Sequence, residues 1–172
     1  MTVQIQNVVA SAAFNQTFDL ITIANAFPEN TEFKGRFPGL IFKTGKMVCT
    51  GGKGENEASR AILGAARKLR KEGINVTRKP EIQITNIVAS ATLNGIIDLD
   101  KLYSSEGMGG NILFEPEQFP ALIYRWESPK VIFLVFSTGK IVCVGARKEK
   151  DIYEAIEKLQ RKLEESEVLI RS

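Results

Sequence analysis

Few residues in this sequence could do chemistry, and their types argue against most catalytic mechanisms. No histidine occurs among the 172 residues, which removes the usual general base and the commonest metal ligand. Only two cysteines occur, too few for a zinc cluster or a disulfide framework. TGKM at 44–47 resembles the end of a phosphate-binding loop, but five residues instead of four separate Gly39 from Gly45, and Met47 replaces the metal-binding Ser or Thr. We therefore expect neither catalysis nor a cofactor.

The remaining polar candidates could bind a ligand through hydrogen bonds or charge. Asn7 and Asn86 lie at matching positions among apolar neighbours. Taken by themselves, these residues are better explained as two asparagines hydrogen-bonded inside a sheet. Lys46 and Lys140 follow two similar Thr-Gly turns and are candidates for phosphate contacts. Ordinary solvation of a turn is the alternative explanation for both lysines.

Charge is distributed unevenly along the chain, although the net charge is only +3. Residues 1–79 contain 12 basic and 6 acidic residues, and residues 80–172 contain 11 and 14. The two halves are then either ordinary solvated surfaces, or surfaces suited to an anion and to a basic partner respectively. Composition alone does not favour one of these interpretations.

An internal repeat determines the predicted architecture. Three segments of the first half recur in the same order in the second half of the chain, and such self-similarity indicates repeated structural units. The pairs are IQNVVASAAF from Ile5 with ITNIVASATL from Ile84, FPGLIF at 37–42 with FPALIY at 119–124, and KTGKMVCTGGK from Lys43 with STGKIVCVGAR from Ser137. We predict two copies of one unit, residues 1–79 and 80–172.

Each copy is predicted to run strand, short helix, several strands and long helix. Asp19 is a plausible N-cap for the first short helix, whose inner face would hold Leu20, Ile23, Ala24 and Phe27. Strands are expected at 32–37, 40–42 and 47–51, with turns at Pro38-Gly39 and Thr44-Gly45. The long helices are predicted to bury Ala58, Ile62, Ala65 and Leu69 in copy one, and Ile152, Ile156, Leu159 and Leu163 in copy two. Antiparallel strands with helices on one face give an α+β fold.

The opposite face of this sheet is predicted to remain uncovered. Its alternate residues are mostly apolar, including Ile5, Val9 and Val48 and their counterparts in copy two. A sheet face that only meets water should be polar. An apolar face of this size therefore indicates a binding partner.

The repeated motifs resemble those of the TATA-box-binding protein family, in its archaeal form, from about residue 3 to 165. The matching motifs are QNVVAS/TNIVAS, RFPG/QFPA, LIF/LVF followed by TGK, and VCTGGK/VCVGAR. The resemblance implies a pseudo-two-fold saddle, a curved antiparallel sheet with helices on its convex face. It implies binding to the minor groove of A·T-rich DNA, with the kink of about 80° known for this family. Implied partners are the promoter duplex, transcription factor B and, indirectly, RNA polymerase, and no membrane.

The resemblance also assigns roles to individual residues. Asn7 and Asn86 would donate to base acceptors, and Phe119 with Phe136, and less completely Phe37 with Phe42, would form wedges between base steps. The other implied DNA contacts are Val9, Leu40, Lys46, Val48, Thr50, Val88, Arg125, Leu134, Lys140, Val142 and Val144. The implied contacts to transcription factor B are Glu115, Glu117 and Gln118. Val144 departs from the threonine usual in the family, which Thr50 retains.

Copy one is shorter than the family pattern. Phe37 matches Phe119 at an offset of 82, whereas Lys43 matches Ser137 at an offset of 94, so twelve residues are missing between them. Copy two fills this space with LIYRWESPKVIF, a predicted hairpin with its turn at Glu127–Lys130. We expect a weaker first wedge and less bending, with the positive charge of copy one partly compensating through phosphate contacts.

Three functional hypotheses follow. The first is a DNA-binding initiation factor. The second is a family paralogue with weakened DNA binding that acts as a protein-interaction module, as the shortened hairpin would suggest. The third, a ligand-binding or enzymatic domain on a similar sheet, is disfavoured by the absence of histidine. The N-terminus lacks the features of a signal peptide, so we expect the chain in the cytoplasm, or in the nucleus if it is eukaryotic.

Overall fold

The structure is a computed structural model that describes residues 1–26, 39–106 and 110–171. Within these ranges the chain forms ten strands and four helices. In chain order they are β1 (Val3–Ala13), α1 (Leu20–Ala26), β2 (Gly39–Ile41), β3 (Lys46–Gly52), α2 (Glu55–Lys71), β4 (Glu81–Thr92), β5 (Ile96–Ile97), α3 (Leu99–Glu106), β6 (Ile112–Leu113), β7 (Leu122–Glu127), β8 (Lys130–Val135), β9 (Lys140–Ala146), α4 (Glu149–Glu165) and β10 (Leu169–Ile170).

The chain folds into two compact units. The first unit is Asn7–Thr85, and the second unit is Met1–Gln6 together with Asn86–Ser172. The long strands β1 and β4 therefore each contribute residues to both units. The boundaries 1–79 and 80–172 describe the two sequence copies and stay a prediction.

In the first unit, β3 pairs antiparallel with β1 and with β2. Strand alternation sends Val8, Ala10, Met47 and Cys49 to one face, where all four are buried. Helix α2 covers this face. Its Ala58 lies so close to β3 that a Cβ built on Gly52 would be 3.4 Å from the Ala58 Cβ.

In the second unit, β4, β9, β8, β7 and β6 pair antiparallel in that order. Helix α4 packs against β9, and its apolar face is buried as predicted, at Ile152, Ile156, Leu159 and Leu163. Strands β7 and β8 form the predicted hairpin, in which Glu127 pairs with Lys130. The predicted α+β class, antiparallel strands with helices on one face, is confirmed in each unit.

Aspartates cap both short helices. The Asp19 Oδ1 atom accepts hydrogen bonds from the Ile21 and Thr22 N–H groups at 3.1 and 3.2 Å. The bond from the Thr22 N–H is the main reason that the pKa of the Asp19 carboxyl lies below its ordinary value. In the second unit, Asp98 Oδ1 accepts from the Lys101 N–H at 3.0 Å. The predicted N-cap is confirmed and recurs in the repeat.

The long helix α2 buries the four predicted residues, Ala58, Ile62, Ala65 and Leu69. The predicted inner face of α1 is wrong for Leu20 and Ala24, which are exposed, whereas Ile23 is buried. The described part of α1 has seven residues and makes fewer than two turns, so it brings little of any one face over the sheet. Phe27, Pro38 and the predicted strand at 32–37 lie outside the described residues.

A second, two-stranded sheet within the second unit was not predicted. Strand β10, near the C-terminal end, pairs antiparallel with β5. The Asp98 N–H donates to the Val168 carbonyl at 2.8 Å, and Val168 is buried. In the described part of the chain, none of the helices is both long and apolar enough to cross a membrane.

Candidate nucleic-acid interface

The same irregularity interrupts the strand pairing of both units. Val8 pairs with Gly52 but Ala10 pairs with Cys49, so β3 has one extra residue opposite β1. An equivalent bulge separates the pairs Ile87–Ala146 and Val88–Val144. The bulge glycines Gly51 and Gly145 have φ values of +98° and +103°. Side chains rarely adopt this conformation, so glycine is required at both bulges.

Each bulge glycine orients one of the two equivalent asparagines. The Gly51 N–H donates to Asn7 Oδ1 at 2.5 Å, and the Gly145 N–H donates to Asn86 Oδ1 at 2.8 Å. Because the amide oxygen is occupied in both cases, the NH2 group remains as the recognition end of each side chain. Both asparagines are partly exposed, and each therefore presents a hydrogen-bond donor.

One sheet face of the second unit is not covered by a helix in the described part of the chain. This face, here called the open face, is made of two rows of neighbouring side chains. Residues that pair directly in a ladder point to the same face. The first row across β4, β9, β8 and β7 is Val88, Val144, Ile132 and Arg125, and the second is Ser90, Val142, Leu134 and Ile123. Ile132 is exposed and Val88, Val142, Val144 and Leu134 are partly exposed. The open face is therefore largely apolar, as predicted.

The open face of the first unit repeats the second row on a smaller scale. Ser11, Val48 and Leu40 are paired across β1, β3 and β2, as Ser90, Val142 and Leu134 are in the second unit. Within the described residues this row ends at Leu40, which is 63% exposed. Val9 and Thr50 extend the face beside the bulge. Thr50 occupies the place of Val144 and is exposed.

The structure brings one predicted phenylalanine pair together. The rings of Phe119 and Phe136 meet edge to face, with centroids 6.2 Å apart. Phe119 is 41% exposed although it is a large apolar side chain. The Phe42 N–H donates to the Lys46 carbonyl, just as the Phe136 N–H donates to the Lys140 carbonyl. Phe42 therefore takes the position of Phe136 in the first unit. Phe37 lies outside the described residues.

The predicted polar contacts all lie at the surface. Lys46, Arg125 and Lys140 are exposed, and Arg125 lies opposite Ile132 at the end of the first row. Glu115, Glu117 and Gln118 form an exposed turn directly before Phe119, where the Gln118 and Phe119 N–H groups both donate to the Glu115 carbonyl at 2.9 Å.

The two cysteines belong to the core. Cys49 and Cys143 lie on the buried face. Burial raises the pKa of the Cys143 thiol to about 12, and burial, followed by the charge of Glu57, raises the pKa of the Cys49 thiol. Both thiols are therefore protonated near neutral pH and are poor nucleophiles.

Each unit thus offers a strand surface with apolar side chains and one oriented amide donor. Such a surface suits a ligand that presents hydrogen-bond acceptors along a groove. The cations at the edge of the protein surface suit anionic groups on the same ligand. The minor groove at A·T pairs has these properties, because it presents only acceptors, whereas a G·C pair adds an amino group that an apolar surface leaves without a partner.

Some residues of the open face were not predicted individually. Ile123 and Ile132 complete its two rows, and Gly51 and Gly145 orient the asparagines. Alternation along the predicted hairpin could have identified the two isoleucines. The glycine contacts arise from a bulge, which a regular strand pattern does not encode.

Three comparisons identify similar proteins. A family model described as "Transcription factor TFIID (or TATA-binding protein, TBP)" matches residues 2–72 and 81–166. The TATA-box-binding protein of Sulfurisphaera tokodaii is 42% identical over 95% of this chain and 87% of its own length. That of Pyrobaculum calidifontis is 42% identical over 96% and 88%. The solved structure of Methanococcus jannaschii TBP has a TM-score of 0.83 and 37% identity, covering 96% of this chain and 99% of its own.

Proposed function

Because the chain belongs to the TATA-binding protein family, we propose that it is a transcription initiation factor that binds the minor groove of A·T-rich promoter DNA. The observation that supports this most directly is the repeated open face. In each unit a glycine bulge fixes one asparagine so that its NH2 group is available among valines and leucines. Adenine N3 and thymine O2 are the acceptors that these donors would meet.

Base analogues provide a sharp test of the binding mode. Replacing A·T pairs of the box by inosine·cytosine pairs leaves the minor groove without an amino group but gives the major groove the pattern of G·C. We expect the inosine box to bind nearly as well as the A·T box in a gel-shift assay, and a G·C box to bind poorly. A minor-groove drug should compete with the protein. Loss of binding to the inosine box, equal to the loss for G·C, would mean that the protein does not recognise the minor groove.

Bending belongs to the same proposal. An apolar side chain inserted between two base pairs unstacks them and kinks the duplex. Phe119 and Phe136 are suited to this role because they are exposed or partly exposed and in contact with each other. In the first unit Phe42 supplies an exposed ring, and its partner would be Phe37.

We further propose that the exposed turn containing Glu115, Glu117 and Gln118 contacts transcription factor B, through which RNA polymerase is recruited. Its two carboxylates suit a basic partner. The double variant Glu115→Lys/Glu117→Lys should weaken the ternary complex with transcription factor B and leave binary DNA binding largely unchanged.

A matched control for this experiment is Glu72→Lys/Glu165→Lys, which makes the same change of charge at two other exposed positions. Equal weakening by both double variants would mean a general electrostatic effect rather than a contact at the turn. Because the protein would bind promoter DNA, we further propose that it acts at the chromosome.

The second candidate is a paralogue with weakened DNA binding that works mainly as a protein-interaction module. The observation that favours it is the shortened first copy, in which twelve residues are missing between the positions of Phe37 and Lys43. The same gel-shift series separates the two candidates. The paralogue would bind A·T, inosine and G·C boxes with similarly low affinity, yet would still bind transcription factor B.

A further inference from the structure

The turn between β4 and β5 contains Asn94, the single asparagine of the sequence that is followed by a glycine. An asparagine in this position can react with its own main chain. Glycine has no side chain to keep its main-chain nitrogen away from the preceding side-chain amide, so the nitrogen can attack the amide carbon and expel ammonia. The exposure and the hydrogen bonds of the two residues decide whether the folded protein permits this reaction.

The structure leaves both reacting groups unrestrained. Asn94 is exposed. Within the described part of the chain, its side-chain amide has no hydrogen-bond partner, and the Gly95 N–H has no acceptor. The asparagines of the open faces differ, because the amide oxygens of Asn7 and Asn86 accept hydrogen bonds from the bulge glycines.

The equivalent turn of the first unit provides an internal comparison. Its residues at the corresponding positions are Asn15 and Gln16. The Gln16 side chain donates from Nε2 to the Asn75 carbonyl at 2.7 Å and accepts at Oε1 from the Thr77 N–H at 3.1 Å. A residue whose side chain is anchored at both ends of its amide therefore follows Asn15, and this asparagine should react far more slowly.

The main chain of Gly95 is enclosed on two sides. A Cβ built on Gly95 would collide with the Ile170 carbonyl oxygen of β10. On the other side, a Cβ built on Gly139 would lie 2.5 Å from the Gly95 carbonyl oxygen. Residues with a side chain also rarely adopt the Gly95 φ of +140°. This turn therefore requires the glycine that makes Asn94 reactive.

The turn that encloses Gly95 is residues 136–140, here called the wedge turn, and the proposed DNA contacts Phe136 and Lys140 form its two ends. Main-chain hydrogen bonds hold it on both sides of the reactive pair. The Leu93 N–H donates to the carbonyl of residue 139 at 2.8 Å, and the Ile97 N–H donates to the carbonyl of residue 137 at 2.9 Å. A change in main-chain length between Leu93 and Ile97 must therefore move the wedge turn or break these bonds.

We propose that Asn94 is a modification site, at which conversion to isoaspartate displaces the wedge turn and weakens DNA binding. The Gly95 nitrogen loses its proton to water and forms a bond to Asn94 Cγ, while the bond from Cγ to the amide nitrogen breaks and ammonia leaves. Water then opens the resulting cyclic imide at either of its carbonyl carbons. One product is aspartate. The other is isoaspartate, whose main chain passes through the former side chain and is longer by one CH2 group.

The modification itself can be tested without DNA. The full chain is incubated at mildly alkaline pH and raised temperature, because the attacking nitrogen must lose its proton. Peptide mass spectrometry locates the product, and a carboxyl methyltransferase that recognises isoaspartate measures its amount. We expect isoaspartate at residue 94 and little at residue 15, and Asn94→Gln should remove the signal. Equal amounts at the two positions, or none at residue 94, would overturn the proposal.

The effect on DNA rests on the proposed function and is measured with the same samples. The incubated wild type should bind a TATA duplex several-fold more weakly, in proportion to its isoaspartate content, whereas incubated Asn94→Gln should keep its initial affinity. Asn94→Asp adds the same charge without lengthening the main chain, so it should lose less affinity than the isoaspartate form.

Repair of the modified protein gives a further readout. The methyltransferase with its methyl donor esterifies isoaspartate, the ester closes again to the imide, and part of the imide opens to aspartate, so part of the DNA affinity should return. Full affinity in protein that contains isoaspartate at residue 94, or an equal loss in Asn94→Asp, would overturn the displacement of the wedge turn. Failure of the proposed function would appear differently, as weak binding of the TATA duplex before any incubation.

Discussion

Asn7 and Asn86 each combine a structural and a recognition role in one side chain. The amide oxygen accepts a hydrogen bond from a bulge glycine, at 2.5 Å in the first unit and 2.8 Å in the second. A buried or partly buried strand amide would normally have both ends satisfied by its neighbours. Beside Asn86 the neighbouring open-face side chains are the valines Val88 and Val144, which offer the NH2 group no acceptor. The donor is therefore available to a ligand.

Substitutions at Asn86 can separate these two roles. Asn86→Ala removes both hydrogen bonds, and we expect it to weaken binding of an A·T box by roughly 1–3 kcal/mol. Asn86→Asp keeps an oxygen for the Gly145 N–H but replaces the donor by a carboxylate. It should retain most of the thermal stability lost in the alanine variant while binding DNA at least as poorly. Asn7→Ala and Asn7→Asp should behave alike because the contact is repeated. Wild-type DNA affinity in both aspartate variants would show that the amide donors do not face the bases.

Thr50 and Val144 make the two open faces unequal. Val144 lies in an apolar row between Val88 and Ile132, whereas Thr50 is exposed and carries a hydroxyl that can donate or accept. A guanine amino group facing Thr50 can find an acceptor, but facing Val144 it stays unsatisfied, at a cost of about 1–3 kcal/mol. On a box that is palindromic except for a single off-centre G·C pair, we expect the protein to orient with Thr50 over that pair.

Exchange of the two residues tests this prediction. The double variant Thr50→Val/Val144→Thr should reverse the preferred orientation. A dye on a cysteine introduced at the exposed Lys150 would report orientation by energy transfer to one end of the duplex. The native thiols should not react, because both are buried. An orientation that is the same in wild type and exchange variant would exclude these residues as its cause.

At the scale of elements, the hairpin of β7 and β8 is the main difference between the two copies. It adds Ile123, Arg125 and Ile132 to the open face. Helix α2, helix α4 and this hairpin were all predicted correctly, since their apolar periods and turn residues are local properties of the sequence. The family predicted from the repeated motifs is also confirmed.

Other features could not be predicted because they depend on contacts that are distant in sequence. Pairing of β5 with β10 joins residues more than seventy positions apart, at Ile96 and Ile170. The glycine contacts of the asparagines depend on the register of two distant strands. The face of α1 was mispredicted because helical periodicity says which side is apolar but not how much of a short helix reaches the sheet.

The hairpin should make the two phenylalanine sites unequal. Phe119 and Phe136 contact each other beside a complete hairpin, whereas Phe42 lies in the copy that lacks the twelve residues of this hairpin. Because unstacking costs a few kcal/mol that further contact must offset, we expect Phe119→Ala to weaken DNA binding more than Phe42→Ala or Phe37→Ala. Dissociation constants for the three variants on one box provide the measurement. Equal losses would mean that the short copy builds a wedge as effective as that of the long copy.

At the scale of the whole molecule, the missing twelve residues should reduce the bend in DNA. We expect the positive charge of copy one to compensate less than its composition suggested. Five of the basic residues of that copy lie on α2, which packs on the side of the strands away from the open face. A cation that does not neutralise a phosphate does not contribute to DNA affinity through counterion release. Phosphate contacts from copy one can therefore replace little of the DNA contact that is lost with the missing hairpin.

An insertion variant tests whether the missing hairpin limits bending. Gly39 and Leu40 correspond to Ala121 and Leu134, so residues 122–133 of copy two can be inserted between them. We expect the wild-type protein to bend an A·T box by less than the angle of about 80° known for the family. The insertion variant should bend it more, as measured by fluorescence energy transfer between the duplex ends.

A second measurement places 2-aminopurine at each of the two outer base steps, where its fluorescence reports unstacking. In the wild-type complex we expect a strong signal at the step under the second unit and a weak signal at the step under the first. Phe119→Ala should remove the strong signal and thereby identify which unit produces it. A wild-type complex with a full bend and equal unstacking at both steps would show that the short copy needs no hairpin to kink DNA.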